Sequence, residues 1–118
     1  MPFAIELREP QKVIDVAFSG PVTVRERFEA MQAVVAAART RGFKRVLADF
    51  SDARAKRHPQ SDVLNYAVRL AEEPTLNKMA IAYVGTQDQT GGVEGVAALR
   101  GYFYQRFSTR DAALHWLQ

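Results

Sequence analysis

Few side chains in this chain are of a type and spacing to do chemistry. Ser61, His58 and Asp49 supply the three groups of a nucleophilic hydrolase. No Gly-x-Ser-x-Gly elbow presents Ser61, and a triple of this kind can be drawn in almost any chain, so hydrolysis is not expected. Only His58 and His115 offer imidazole, there is no cysteine, and no His-x-x-x-His spacing occurs, so no zinc site is expected. Asp49 and Asp52 are three residues apart across a predicted strand end, a spacing that does not aim both carboxylates at one substrate; structural or capping roles are expected. A non-enzyme with no catalytic residue, no metal and no cofactor is expected.

Binding chemistry is better represented. Arg54, Lys56, Arg57 and His58 cluster just past a predicted parallel strand, where open α/β sheets usually bind ligands, and they suit an anionic headgroup, a phosphate or an acidic partner. No aromatic residue interleaves them for base stacking, so nucleic acid is not expected. Gly91-Gly92 could present backbone N–H groups to an anion. The stretch from Gly85 to Gly92 nevertheless lacks the Lys-Ser/Thr of a phosphate-binding loop, so nucleotide binding has no support. Tyr66 and Leu70 on one predicted helix, with Val96, Leu99, Tyr102 and Phe103 on the next, supply enough apolar surface to line a cleft between the two.

Composition sets the frame. A chain of 118 residues, 47% hydrophobic and 25% charged, is expected to form a single domain spanning residues 1–118. Absent cysteine, no basic-then-apolar leader and no run of about 20 apolar residues together predict a cytoplasmic setting. The net charge is +3, and seven of the sixteen basic residues (Arg39, Arg41, Lys44, Arg45, Arg54, Lys56 and Arg57) fall between positions 39 and 57, interrupted by Asp49 and Asp52.

The elements that position these groups follow from hydrophobic period. Phe3, Ile5 and Leu7, then Ile14, Val16 and Phe18, alternate on either side of Glu9-Pro10-Gln11-Lys12 and predict an opening antiparallel hairpin, its second strand broken by Gly20-Pro21. Thr23 with Glu26 is a capping-box pattern, Val24, Phe28, Met31, Val35 and Ala38 form a helical stripe, and Gly42 stops that helix with Arg39 and Arg41 in its last turn. The apolar runs Val46-Leu47-Ala48 and Met79 to Val84 predict central strands covered on both faces. Val63, Tyr66, Ala67 and Leu70 mark a second helix over Ser61 to Glu72, and Val93, Val96, Ala97, Leu99 and Phe103 a third. Gln105-Arg106-Phe107 reads as a short last strand, and Ser108 with Asp111 as the cap of a closing helix. The order β-β-α-β-α-β-α-β-α predicts an α/β fold: a mixed, mostly parallel sheet of about five strands covered by about four helices.

This order, with the strand Arg45-Val46-Leu47-Ala48-Asp49-Phe50-Ser51, resembles the STAS-like domains, the fold of anti-sigma-factor antagonists. The ending Phe107-Ser108-Thr109-Arg110-Asp111-Ala112-Ala113-Leu114-His115-Trp116-Leu117 is similar to the F-x-x-x-x-x-A-L-x-W-L close of small bacterial STAS-like proteins that are also compared with CRAL-TRIO lipid-binding domains. The resemblance implies a non-enzymatic regulatory or interaction module with a protein partner. Its alternative is an apolar or anionic small ligand in the cleft between the second and third helices, with peripheral membrane contact. The Asp-Ser-Ser-Gly segment that carries the phosphorylated serine in regulated antagonists is missing. Arg57-His58-Pro59-Gln60-Ser61-Asp62 stands there instead, so Ser61 reads as a plain N-cap and kinase-driven switching is not implied. An exposed edge strand would also suit a homodimer.

Overall fold

The computed structural model describes residues 3–9, 11–55, 79–85 and 103–118; the side chains at 24, 54, 55, 103 and 104 are not described. Five strands form one sheet in the order of the chain: β1 (Phe3–Arg8), β2 (Val13–Val22), β3 (Arg45–Ala55), β4 (Ala80–Val84) and β5 (Phe103–Phe107). β1 and β2 pair antiparallel from Phe3↔Phe18 to Arg8↔Val13, and β2 to β5 are parallel throughout. The mixed, mostly parallel sheet expected from the element order is therefore present. Among the described residues two helices flank it, α1 (Val24–Arg41) and α2 (Arg110–Leu117). The helices expected over Ser61 to Glu72 and over Val93 to Phe103 lie outside the described residues, except for Phe103 itself.

Both faces of the sheet are covered. Ile14, Val16, Phe18, Val46, Ala48, Phe50, Ile81 and Tyr83 pack on one side with Ala30, Val34, Val35 and Ala38 of α1. On the other side Val13, Leu47, Ala82 and Val84 pack with Ala113 and Leu117 of α2. Two-sided burial explains why the central strands read as continuous apolar runs rather than as alternation.

Local chemistry sets the ends of α1. Thr23 Oγ1 accepts from the Glu26 N–H and the Glu26 carboxylate accepts from the Thr23 N–H, both at 3.1 Å, so the capping box closes as the sequence predicts. Gly42 adopts φ 72°, a left-handed conformation in which its N–H reaches the Ala38 carbonyl at 2.8 Å. The buried stripe of α1 is rotated from the expected one: Arg27, Ala30, Val34, Val35 and Ala38 are buried, whereas Phe28 and Met31 are half-buried at its flank. The small alanines sit where the helix meets the sheet, and the larger residues fill in beside them.

Four expectations are corrected. Gly20-Pro21 does not end β2, which continues to Val22 alongside Ala55. Among the described residues β1 reaches only as far as Phe18 and nothing pairs with β2 beyond it on that side, where a residue lacking an N–H is tolerated; the register shift between Ala17 and Ser19 and the positive φ of Gly20 absorb the bend. β3 likewise runs past Ser51 to Ala55, which places Arg54 inside the strand, opposite Pro21, rather than in a loop. Phe103 opens β5 opposite Ala80 instead of closing a helix; the aromatic run Tyr102-Phe103-Tyr104 after Gly101 favours a strand, and pairing with β4 outweighs a helical spacing that Phe103 met by coincidence. Finally, the N-cap of α2 is Thr109, whose hydroxyl accepts from the Ala112 N–H at 3.2 Å, not Ser108.

The length of β3 has a further consequence. Eleven residues at about 3.3 Å each separate its ends by roughly 33 Å. The basic residues contiguous in sequence are thus divided, with Arg39, Arg41, Lys44 and Arg45 at one end of the sheet and Arg54 near the other.

Candidate functional site

Two constellations stand out among the described residues, one on each face of the sheet. On the α2 face Asp15 and Asp49 are buried at 4% and 5% exposure, though each lies in a strand of apolar neighbours. Asp15 pairs in register with Leu47, and Asp49 sits two residues further along β3, so the parallel pleat brings both carboxylates to the same face. Arg110, the first residue of α2, spans them. Its Nη1 donates to Asp49 Oδ2 at 2.6 Å and its Nη2 to Asp15 Oδ2 at 2.5 Å, and Arg8 Nε donates to the same Asp15 oxygen at 2.8 Å. The remaining Asp49 oxygen accepts from the Ser51 hydroxyl at 2.6 Å and the Ser51 N–H at 2.9 Å.

The charge balance of this cluster is even: two carboxylates meet two guanidiniums. Burial pushes the Asp49 carboxyl upward, but the hydrogen bonds from Ser51 and Arg110 outweigh it and hold the group below its ordinary value. Hydrogen bonds to Asp15 and Asp49 hold the proton on Arg110 well above the usual arginine range. A carboxylate fixed in its charged form by three donors is a poor general acid or base at neutral pH. What the arrangement does is tie the helix α2 to the two strands β2 and β3.

On the α1 face the aromatic rings form a ladder across four strands. Phe18 and Phe50 stack with centroids 4.3 Å apart and planes 5° from parallel, Phe50 and Tyr83 follow at 5.8 Å and 6°, and Phe3 leans on Phe18 at 6.0 Å. The buried guanidinium of Arg27 lies over Phe50, 5.2 Å from the ring centroid. Between this ladder and α1 is a pocket with a free volume of about 40 Å³, walled by Val16, Val46, Ile81, Ala30, Met31 and Val34 as well as by the rings and Arg27. It has room for a few apolar heavy atoms.

The residues singled out from sequence fall largely elsewhere. Lys56, Arg57, His58, Ser61, Tyr66, Leu70, Val96, Leu99 and Tyr102 lie outside the described residues, and Arg54 and Phe103 are placed by backbone only, in β3 and β5. Asp49 and Asp52 do take separate roles, Asp49 buried in the Arg110 cluster and Asp52 exposed. His115 is exposed in the last turn of α2.

Sequence reasoning missed Asp15, Arg110 and Arg27. For Asp15 a signal existed: Val13, Ile14, Val16 and Phe18 are apolar in both parities, so the strand is buried on both sides and a charge within it needs a partner. Nothing local in sequence identified Arg110 as that partner, 95 residues away.

No protein-family model matches the chain, and no curated protein matches it by sequence. Among solved structures it is similar to an uncharacterised protein of the DUF3478 family from Shewanella loihica PV-4, described as having a SpoIIAA-like fold. The match has a TM-score of 0.61 at 18% identity and covers 98% of this chain and 92% of that one. The fold is SpoIIAA-like. This is the STAS-like architecture that the element order and the closing segment resemble, and at this identity the SpoIIAA-like neighbour speaks for architecture alone. Among the described residues, no helix of the SpoIIAA-like domain is long and apolar enough to cross a membrane.

Proposed function

We propose that this chain is a non-enzymatic regulatory module that works by binding a protein partner. One observation carries the reading: the buried ionisable groups on the α2 face are committed to one another. Asp15 accepts from Arg8 and Arg110, and Asp49 accepts from Arg110 and Ser51, so the cluster's strong donors and acceptors are spent on holding α2 against the sheet. Such a site is scaffold, and it leaves the surface to carry function. The SpoIIAA-like fold agrees with this reading without deciding it. The test is co-elution of the purified chain with a protein recovered by affinity capture. A stoichiometric complex that re-forms from purified components supports the module, and capture of background proteins alone counts against it.

The pocket under α1 favours a second reading, in which the module takes up an apolar ligand. Its location differs from the cleft expected between the second and third predicted helices: it is walled by α1 and by β2, β3 and β4. Native mass spectrometry of freshly purified protein separates the two readings. A stoichiometric mass increment, lost when Ala30→Leu fills the pocket, supports ligand uptake, whereas an unmodified mass leaves the protein partner as the reading.

A further inference from the structure

We propose that two copies of this chain pair through the outer edges of β1, antiparallel and about a two-fold axis at Ile5, to form one continuous ten-stranded sheet.

The strand is self-complementary about that residue. β1 reads Phe3-Ala4-Ile5-Glu6-Leu7, large apolar residues on the α1 face at 3, 5 and 7 and small or charged ones on the α2 face at 4 and 6. A two-fold contact needs a patch that matches itself. With Ile5 opposite its own copy, Phe3 meets Leu7 of the other strand twice and Ala4 meets Glu6 twice. Antiparallel registers about a two-fold move in steps of two along the partner, and the neighbouring ones are worse. One sets Glu6 directly against Glu6, a like-charge pair. The other, about Ala4, pairs only residues 3 to 5 of each strand, against residues 3 to 7 about Ile5, and leaves Leu7 without an opposite residue in β1.

Burial and hydrogen bonding agree with this register. Among the described residues no strand pairs with the outer edge of β1, so its outward N–H and C=O groups form an open template. Phe3, Ile5 and Leu7 pack on the core yet stay only half-buried, as side chains at an unfinished edge do. Glu6 carries a counter-charge within its own strand, Arg8 Nη2 at 3.6 Å, which offsets the approach of the two Glu6 side chains across the axis.

The register gives a test in which charge sign decides. Ala4 is exposed, so its replacement leaves the core untouched. Ala4→Lys places an ammonium opposite Glu6 of the other copy at two symmetric positions, and Ala4→Glu places a carboxylate there. Sedimentation equilibrium of the full chain should show a monomer–dimer equilibrium, tightened roughly five-fold by Ala4→Lys and weakened roughly five-fold by Ala4→Glu. Hydrogen exchange on the wild-type chain gives a second readout: the β1 amides that point away from β2 gain protection as concentration rises. A chain that stays monomeric at every concentration overturns the proposal. So does a dimer on which the two substitutions act in the same direction or not at all, since that dimer uses another surface.

Discussion

Arg110 and Asp49 are 61 residues apart in sequence and joined at 2.6 Å, Nη1 to Oδ2, across the seam between α2 and β3. With the parallel bond to Asp15 this makes one guanidinium the anchor of the chain's last helix. α2 has only eight residues, too few to be stable alone, so its docking rests on Ala113 and Leu117 beneath it and on this bridge.

Arg110→Ala leaves two buried carboxylates short of a donor. Breaking a fully buried ion pair costs about 3–5 kcal/mol. Because the Arg110 side chain is 34% exposed and Arg8 still serves Asp15, the expected loss is nearer 2 kcal/mol. Urea unfolding of Arg110→Ala, Asp49→Asn and the double variant checks this. The two losses should fall clearly short of adding, because each variant removes the same bond.

Acid stability follows from the same bond. Asp49 titrates below its ordinary 3.8 in the folded chain, so the unfolded state binds its proton first as pH falls. The stability that Asp49 contributes is therefore complete above that value and lost as pH drops through the folded one. Arg110→Ala raises the folded value, so its acid unfolding, followed by circular dichroism, should begin at a higher pH than that of the wild type.

At the start of α1, Thr23→Ala removes the acceptor for the Glu26 N–H and should cost about 1 kcal/mol in thermal or urea unfolding. At its end, Gly42→Ala meets no atom within 4 Å, so the whole cost is the left-handed backbone, about 1 kcal/mol. If Gly42→Ala were neutral, α1 would not end in the conformation described.

Phe50 stands between Phe18, Tyr83 and Arg27 and is 2% exposed. Phe50→Ala should cost about 3–5 kcal/mol, and Phe50→Leu, which keeps most of the volume but loses the stacking, about 1–2 kcal/mol. Denaturant midpoints of the two variants give the order directly.

Much of this architecture was legible in the residues, and the legible part was local. Thr23, Glu26 and Gly42 fix α1 through contacts within four residues, and alternation from Phe3 to Phe18 fixes the hairpin and its register. What was hidden depended on pairing at a distance. β2 continues through Pro21 because β3 runs beside it as far as Ala55, and β5 begins at Phe103 because β4 offers Ala80 as partner. The candidate site was less legible still. Asp49 was visible as a structural carboxylate, but the donor that makes it so comes from the far end of the chain, and Arg27 is buried because the helix turns a face beside the expected apolar stripe toward the sheet.

Asp49 is scaffold and not a reactive acid, and titration of its carboxyl carbon by NMR measures that directly. The predicted midpoint lies below the ordinary 3.8 and rises in Arg110→Ala. A wild-type midpoint well above that value, the poise of a general acid, would contradict the account.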